Sequence, residues 1–235
     1  MEDNQEIKIR DQEAEKFEQW YLKKGRFFDW IEKKLILKNL NLSNNDIILD
    51  AGCGTGRITK EIAKKCKKVY GVDFSPLSIK ELEEKHIENI ETFVSDLRKT
   101  FDQQFDKILS IQVIQHIPGS EQRLEVMRNF YKQLKPNGKC LVSVYNYSPI
   151  FYPKLLKQGN FPNGLYYFRF TPKEIKDLFE KSGFRNISVR GCVNFRGYSF
   201  LNNKLFYVLA KLDVFLSKLK LSCFSGHFLI CQGIK

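Results

Sequence analysis

A strand-like run, Asp46-Ile-Ile-Leu-Asp-Ala51, passes directly into Gly52-Cys-Gly-Thr-Gly56. Three glycines at alternate positions let a backbone bend sharply and come close to a ligand, which side chains at those positions would prevent. A helix is expected to follow over Arg57–Lys67, the arrangement of a strand–loop–helix binding turn. About twenty residues on, a second apolar run, Lys68-Val-Tyr-Gly-Val-Asp73, ends in an acidic residue. A carboxylate in that position can accept both hydrogen bonds of a ribose diol.

The centre of the chain continues as alternating strands and helices. Ser75-Pro76 supplies an N-cap and a first-turn proline. Glu91–Ser95 and Phe105–Ile111 read as strands three and four, Glu121–Leu134 as a helix, Lys135-Pro-Asn-Gly138 as a turn and Lys139–Tyr145 as strand five. This rhythm predicts an α/β fold: a doubly wound, mostly parallel sheet with helices on both faces. Its ligand belongs at the carboxyl ends of the strands, where strand order reverses. Gln12–Leu40 reads as a helical N-terminal cap, and Asn146–Phe170, rich in Pro, Gly and aromatic residues, as an irregular lid. Thr171-Pro-Lys-Glu174 is a capping box opening a helix that ends at Ser182-Gly183. A strand near Asn186–Val193, an amphipathic helix over 203–220 and a last strand over His227–Ile234 complete the reading. The chain is thus read as one domain over 1–235, with a cap (1–40), a core (46–193) that carries the lid (146–170), and a C-terminal helix and strand (200–235).

Two nucleotide-type ligands compete for the glycine loop. A dinucleotide fingerprint is G-x-G-x-x-G; here the spacing is G-x-G-x-G, and Arg57 stands where the third glycine would fall. Asp50 precedes the glycines, and its charge suits a cationic amino-acid ligand better than a pyrophosphate. S-adenosylmethionine (SAM), with an ammonium and a sulfonium, is such a ligand.

Ile48–Arg57 resembles the first motif of class I SAM-dependent methyltransferases. Gly71-Val-Asp73 resembles the family's ribose-binding motif, and Ser95-Asp-Leu97 the motif whose Asp meets the adenine amine. Phe105–Pro118 resembles the fourth-strand motif, Leu134–Gly138 the turn before strand five, and Phe170–Glu174 with Ser182–Phe184 the helix after it. The likeness covers about residues 46–190. It implies a seven-stranded sheet with an antiparallel last strand, here with the amphipathic helix inserted before that strand.

The resemblance also implies roles. Asp50, Gly52, Cys53, Gly54 and Gly56 line the methionine side of SAM, Asp73 and Phe74 the ribose, Asp96 and Leu97 the adenine, and Ile111 and Gln112 the sulfonium. Arg26 in the cap is a candidate partner for the SAM carboxylate. The acceptor pocket is expected among Tyr21, Tyr145, Tyr166, Tyr167 and Arg169, with His116 the candidate general base. The expected reaction moves a methyl group to oxygen or nitrogen of a small molecule and leaves S-adenosylhomocysteine. Two readings compete with it. An RNA or DNA base methyltransferase is disfavoured by Ser110-Ile-Gln-Val, which is not an Asp/Asn-Pro-Pro-aromatic motif. A non-catalytic SAM-binding protein is the other.

The net charge is +12, carried by 39 Lys and Arg. It has two readings: a nucleic-acid partner, or a composition rich in Lys, Ile and Asn whose lysines are spread along the chain. None of the six cysteines forms a C-x-x-C pair or stands at zinc spacing from a histidine, so no metal is expected. The N-terminus has no apolar signal-peptide core and no stretch is long enough to span a bilayer, so a cytoplasmic location is expected. Lys204, Lys211, Lys218 and Lys220 flank the apolar stripe of the 203–219 helix, which would suit contact with a membrane surface as well as packing on the core or on a second subunit.

Overall fold

The computed structural model describes residues 7–12, 19–21, 25–194 and 203–235. Strands β1 (Ile47–Ala51), β2 (Lys68–Asp73), β3 (Ile90–Val94), β4 (Phe105–Ile111), β5 (Leu134–Tyr145), β8 (Arg185–Cys192) and β9 (Phe228–Ile234) form a seven-stranded sheet in the order β3-β2-β1-β4-β5-β9-β8. The pairings of β1 with β2 and β4, of β2 with β3 and of β4 with β5 are parallel. β9 runs antiparallel to both neighbours, β5 and β8. The expected doubly wound sheet with an antiparallel last strand is therefore what the chain builds. Strand order reverses between β1 and β4, so the ends of those two strands diverge and leave a crevice.

Both faces of the sheet are covered, as continuous apolar strands require. On one face, Phe105, Ile108, Val142 and Val144 pack with Val126, Met127 and Phe130 of helix α4 (Ser120–Gln133) and with Ile175 and Phe179 of α5 (Pro172–Lys181). On the other, Ile48, Leu109, Ile111 and Leu141 pack against Phe27, Ile31, Ile36 and Leu40 of α1 (Arg26–Leu40). Burying one such side chain contributes about 1.5–3 kcal/mol, so each helix is held mainly by its inward stripe.

The capping signals act as the sequence suggests. Ser75 Oγ accepts from Ser78 N at the start of α3 (Pro76–Glu83), and Thr171 and Glu174 cap α5 reciprocally. Four details differ from expectation. The helix after the glycine loop, α2, spans only Thr59–Ala63. Behind it, the amides of Lys67 and Lys68 donate to Asp46 O and turn the chain back to start β2, while four lysines in five positions repel one another on a helix.

The 135–138 turn lies within β5. Phe105 pairs with Leu134 but Lys107 with Lys139, so the intervening β5 residues bulge out, with Asn137 at φ +63°. The lid is not wholly irregular: β6 (Gln158–Asn160) and β7 (Tyr166–Phe168) form a hairpin. Finally, the C-terminal helix α6 (Asn203–Leu216) stops short of residue 220, and a short α7 (Ser222–Ser225) precedes β9. Of the Gln12–Leu40 cap, residues 13–18 and 22–24 lie outside the described residues, as do 195–202. Five cysteines are buried and Cys66 is half-buried, all of them free thiols.

Candidate active site

The glycine loop leaves β1 at the switch point. Gly52 and Gly56 adopt φ +83° and +85°, which L-residues with side chains avoid. A Cβ at Gly52 would stand 2.2 Å from Val113 Cγ2, and one at Gly56 2.3 Å from Leu82 Cδ1. Gly54 differs: at φ +52° a Cβ there would meet nothing within 4 Å, because the position faces the open crevice. Lining that crevice are Asp50, Gly52, Cys53, Gly54, Asp73, Phe74, Leu97, Ile111, Gln112 and Tyr21. Ten of the residues singled out in the sequence are thereby brought together.

Two buried carboxylates give the crevice its character. Asp73 Oδ2 accepts from Gly54 N (2.9 Å) and Oδ1 from Ser75 N (3.0 Å), which fixes the side chain at the end of β2. Asp50 Oδ2 accepts from Thr59 Oγ1 (2.7 Å). Burial pushes the Asp50 carboxyl up to about 7; the Thr59 hydroxyl opposes the rise, the nearby Asp73 charge adds to it and Arg57 offsets it. Burial likewise raises Asp73, against the Ser75 and Gly54 amides and Arg10. A carboxyl so placed gains from a cation brought beside it.

Beside these acids lies a polar network that pattern reading did not find. Arg57 donates to Asp29 Oδ1 (2.7 Å) and Glu32 Oε2 (2.6 Å) of α1, and its guanidinium lies 4.1 Å from the centre of the Tyr21 ring. Burial works against this cation, but Tyr21, Glu32 and Asp29 outweigh it and hold Arg57 firmly charged. Glu32 Oε1 also accepts from Ser143 Oγ (2.9 Å) and Gln112 Nε2 (3.2 Å), and Gln112 Oε1 accepts from Gln115 Nε2 (2.7 Å). Gln112 itself sits at φ +61°, a strained conformation for a residue with a side chain and a common mark of functional sites. The sequence signals for this network were Arg57 in place of a third glycine, Gln112 at the end of the fourth strand, and an Asp and a Glu three residues apart in α1. Arg10, Thr55, Ile58, Ser78 and Val113 also line the crevice and were not singled out.

His116 lies beyond the end of β4, 5% exposed. Its Nδ1 is 2.7 Å from Tyr166 O. A carbonyl only accepts, so Nδ1 carries the proton and Nε2 is left as an acceptor, 3.4 Å from the Gln115 amide nitrogen. Burial, aided by Arg10 and opposed by the Tyr166 carbonyl, holds the ring well below its usual pKa and so neutral. Around it stand Tyr145 (centroids 5.7 Å apart) and Phe161 (6.4 Å), and Phe161 packs on Tyr167 at 4.6 Å. Arg169 lies 4.2 Å from the Tyr167 ring centre.

Several singled-out residues stand elsewhere. Tyr166 offers its carbonyl, while its hydroxyl donates outward to Gln158 (3.3 Å). Asp96 pairs with Arg98, whose Nε donates to it at 2.8 Å, and is not among the lining residues. Gly56 turns the loop against Leu82. Arg26 lies 4.9 Å over the Phe206 ring of α6 rather than in the crevice. Among the described residues no group of His, Cys, Asp or Glu is arranged to hold a metal ion.

A seven-stranded sheet of this order, with an acidic glycine-lined crevice at its switch point, defines the class I SAM-dependent methyltransferase architecture. The chain belongs to the methyltransferase-domain family, whose profile matches residues 11–189. It is similar to phosphoethanolamine N-methyltransferase 2 of Caenorhabditis elegans, 28% identical over 161 residues, which is 66% of this chain and 36% of that protein. It is also similar to a ubiquinone biosynthesis O-methyltransferase of Nitrosococcus oceani, 29% identical over 199 residues, 75% of this chain and 83% of that one. The matched segment spans about a third to a half of the length of several curated relatives. In fold it matches phosphoethanolamine N-methyltransferase 2 of Haemonchus contortus in complex with SAM, with a TM-score of 0.61 and 20% identity, covering 88% of this chain and 52% of that one. SAM is the cofactor of this class, and the pocket suits it. The buried carboxylates favour a cation, Asp73 closes the end of β2, and the Gly54 position is open.

Proposed function

We propose that this enzyme methylates a hydroxyl or amine of a small, flat, largely apolar acceptor. The observation that carries the reading is the aromatic cluster at His116 just past β4, with Tyr145 and Phe161 against the ring and Tyr167 against Phe161, joined through Gln115 to the crevice residue Gln112. Aromatic walls favour a flat apolar ligand, and a few polar groups among them fix its orientation.

SAM supplies a methyl group activated by its sulfonium charge. The chain supplies position and exclusion of water. Asp50 and the Gly52–Gly54 backbone hold the cationic amino-acid end, Asp73 the ribose and Leu97 the adenine edge. Gln112, braced by Ser143, Glu32 and Gln115, sets the wall between donor and acceptor. Neutral His116, oriented through Nδ1, would take the acceptor's proton at Nε2 as the new bond forms, giving up its contact with the Gln115 amide.

Calorimetric titration with SAM and S-adenosylhomocysteine tests the cofactor half. Micromolar binding that weakens at least a hundredfold in Asp73→Ala is expected; absence of binding by folded protein would sink it. Release of S-adenosylhomocysteine across panels of phenols and aromatic amines tests the acceptor half, and binding without turnover on any acceptor would favour the non-catalytic reading. For His116→Asn, kcat/KM should fall about 10²–10⁴-fold with SAM affinity unchanged. A loss below tenfold would assign the ring to packing.

A further inference from the structure

Helix α6 faces the wrong way for a core helix. Its inward side carries Phe206, Ala210 and Asp213, followed by Ser217 just past its end, all buried. Its outward side carries Val208, Leu212 and Phe215 at 42–62% exposure, and the chain beyond adds exposed Leu219, Leu221 and Phe224. This orientation is fixed by specific contacts. Asp213, 0% exposed, accepts from the amides of Val193 (3.0 Å) and Asn194 (2.6 Å) and from the Asn194 side chain (3.0 Å) at the end of β8. Phe206 packs edge-on to Phe27, their centroids 5.4 Å apart. Rotating the helix to bury its leucines would strip the partners from a buried carboxylate, at a cost of several kcal/mol.

The apolar face continues onto the lid. Tyr152 Oη donates to Ser225 O (2.6 Å), tying the lid to α7, and its neighbours Ile150 (81% exposed) and Phe151 (54%) are open to solvent. Within residues 203–235 the exposed charge has one sign. From residue 203 to 235 the only acidic residue is the buried Asp213, while Lys211, Lys218 and Lys220, and Lys154 on the lid, are exposed. The Lys218 ammonium lies 5.6 Å from the Phe215 ring centre, its stem lying along the apolar surface with its charge at the edge. Large exposed apolar patches mark interaction sites. No helix among the described residues is long and apolar enough to cross a membrane, and α6, at about 21 Å for its 14 residues, has the length to lie in an interface.

We propose that the outward face of α6 and α7, continued by the lid turn at Ile150-Phe151, seats this protein on the surface of an anionic lipid bilayer, with the apolar side chains entering the headgroup boundary and the lysines meeting the lipid phosphates. The lysines favour this occupant over a second copy of the chain, because facing copies would bring like charges together with no exposed acid in the segment to pair them. The inference does not depend on the identity of the methyl acceptor.

Flotation of the full chain with vesicles tests it, comparing pure phosphatidylcholine with a mixture containing about a third phosphatidylglycerol. Wild type should float with the anionic vesicles and bind neutral ones at least tenfold more weakly. Leu212→Glu/Phe215→Glu and Lys211→Glu/Lys218→Glu/Lys220→Glu should each lose at least tenfold on anionic vesicles, with calorimetric SAM binding retained as proof of folding. If a glutamate variant fails to fold, Leu212→Ser/Phe215→Ser takes its place. Failure of wild type to float, or flotation that none of these variants weakens, overturns the proposal. So does a dimer, seen by light scattering at micromolar concentration, that Phe215→Ser dissociates, for then a second copy covers the face.

Discussion

The crevice and the C-terminal helix solve opposite problems with the same device, a buried carboxylate. In the crevice Asp50 is only partly satisfied: burial raises its carboxyl to about 7, and one hydroxyl bond from Thr59 and the charge of Arg57 do not offset it. That region is incomplete toward a cation. At α6, Asp213 receives three donors from one strand end, and the incompleteness lies instead on the outer, apolar side. A carboxylate short of partners makes a binding site, whereas one well supplied with them makes an anchor.

The largest expected effect attacks the crevice by shape. Gly52→Ala must displace Val113 and hold a Cβ at φ +83°, costing about 2–4 kcal/mol in urea unfolding and abolishing SAM binding in calorimetry. Next, Asp213→Ala leaves the buried Val193 amide and the half-buried Asn194 amide without their acceptor. It should cost about 2–3 kcal/mol while SAM affinity changes less than threefold; a large loss of affinity would break the division between the two regions.

A smaller effect is pH-dependent. The Asp50 carboxyl is raised from 3.8 to about 7 in the folded protein, so its proton favours the folded form: this contribution to stability is full below about pH 4 and is lost as pH rises through 7. A cationic ligand favours the ionised carboxylate. SAM affinity should therefore be highest above pH 7 and fall by up to about tenfold per unit as pH drops below it. Asp50→Asn should flatten this dependence in calorimetry. The smallest effect sharpens the other side: Phe215→Ser should change stability by less than about 0.5 kcal/mol. A loss above about 1 kcal/mol would mean the ring is packed and the face is not outward.

The strands and the glycine loop were legible because their signals are local. Apolar runs, N-caps and the turn after Ile48-Leu-Asp50 each lie within a few residues. Arg57, Glu32 and Ser143 were not legible, because their contacts join residues 25 to 111 positions apart and each looks in isolation like a surface or strand-end residue. Periodicity gave α6 but assigned its apolar stripe to either the core or a membrane, and Asp213, the residue that decides between them, breaks that stripe only once. Arg26 had the chemistry for a carboxylate, but sequence spacing carries no information about the Phe206 ring that it covers.

The cysteines have a consequence for following the chain in motion. Cys53 lines the crevice, Cys140 and Cys231 lie in the paired central strands β5 and β9, and Cys223 lies in α7. Burial raises the pKa of all four thiols, which slows alkylation of each until its own neighbourhood opens, most completely at Cys140 and Cys231, both 0% exposed. Mass-resolved labelling under native conditions would thus time the opening of loop, sheet and C-terminal helix separately. The molecule carries, without any engineered label, a set of clocks for its own breathing.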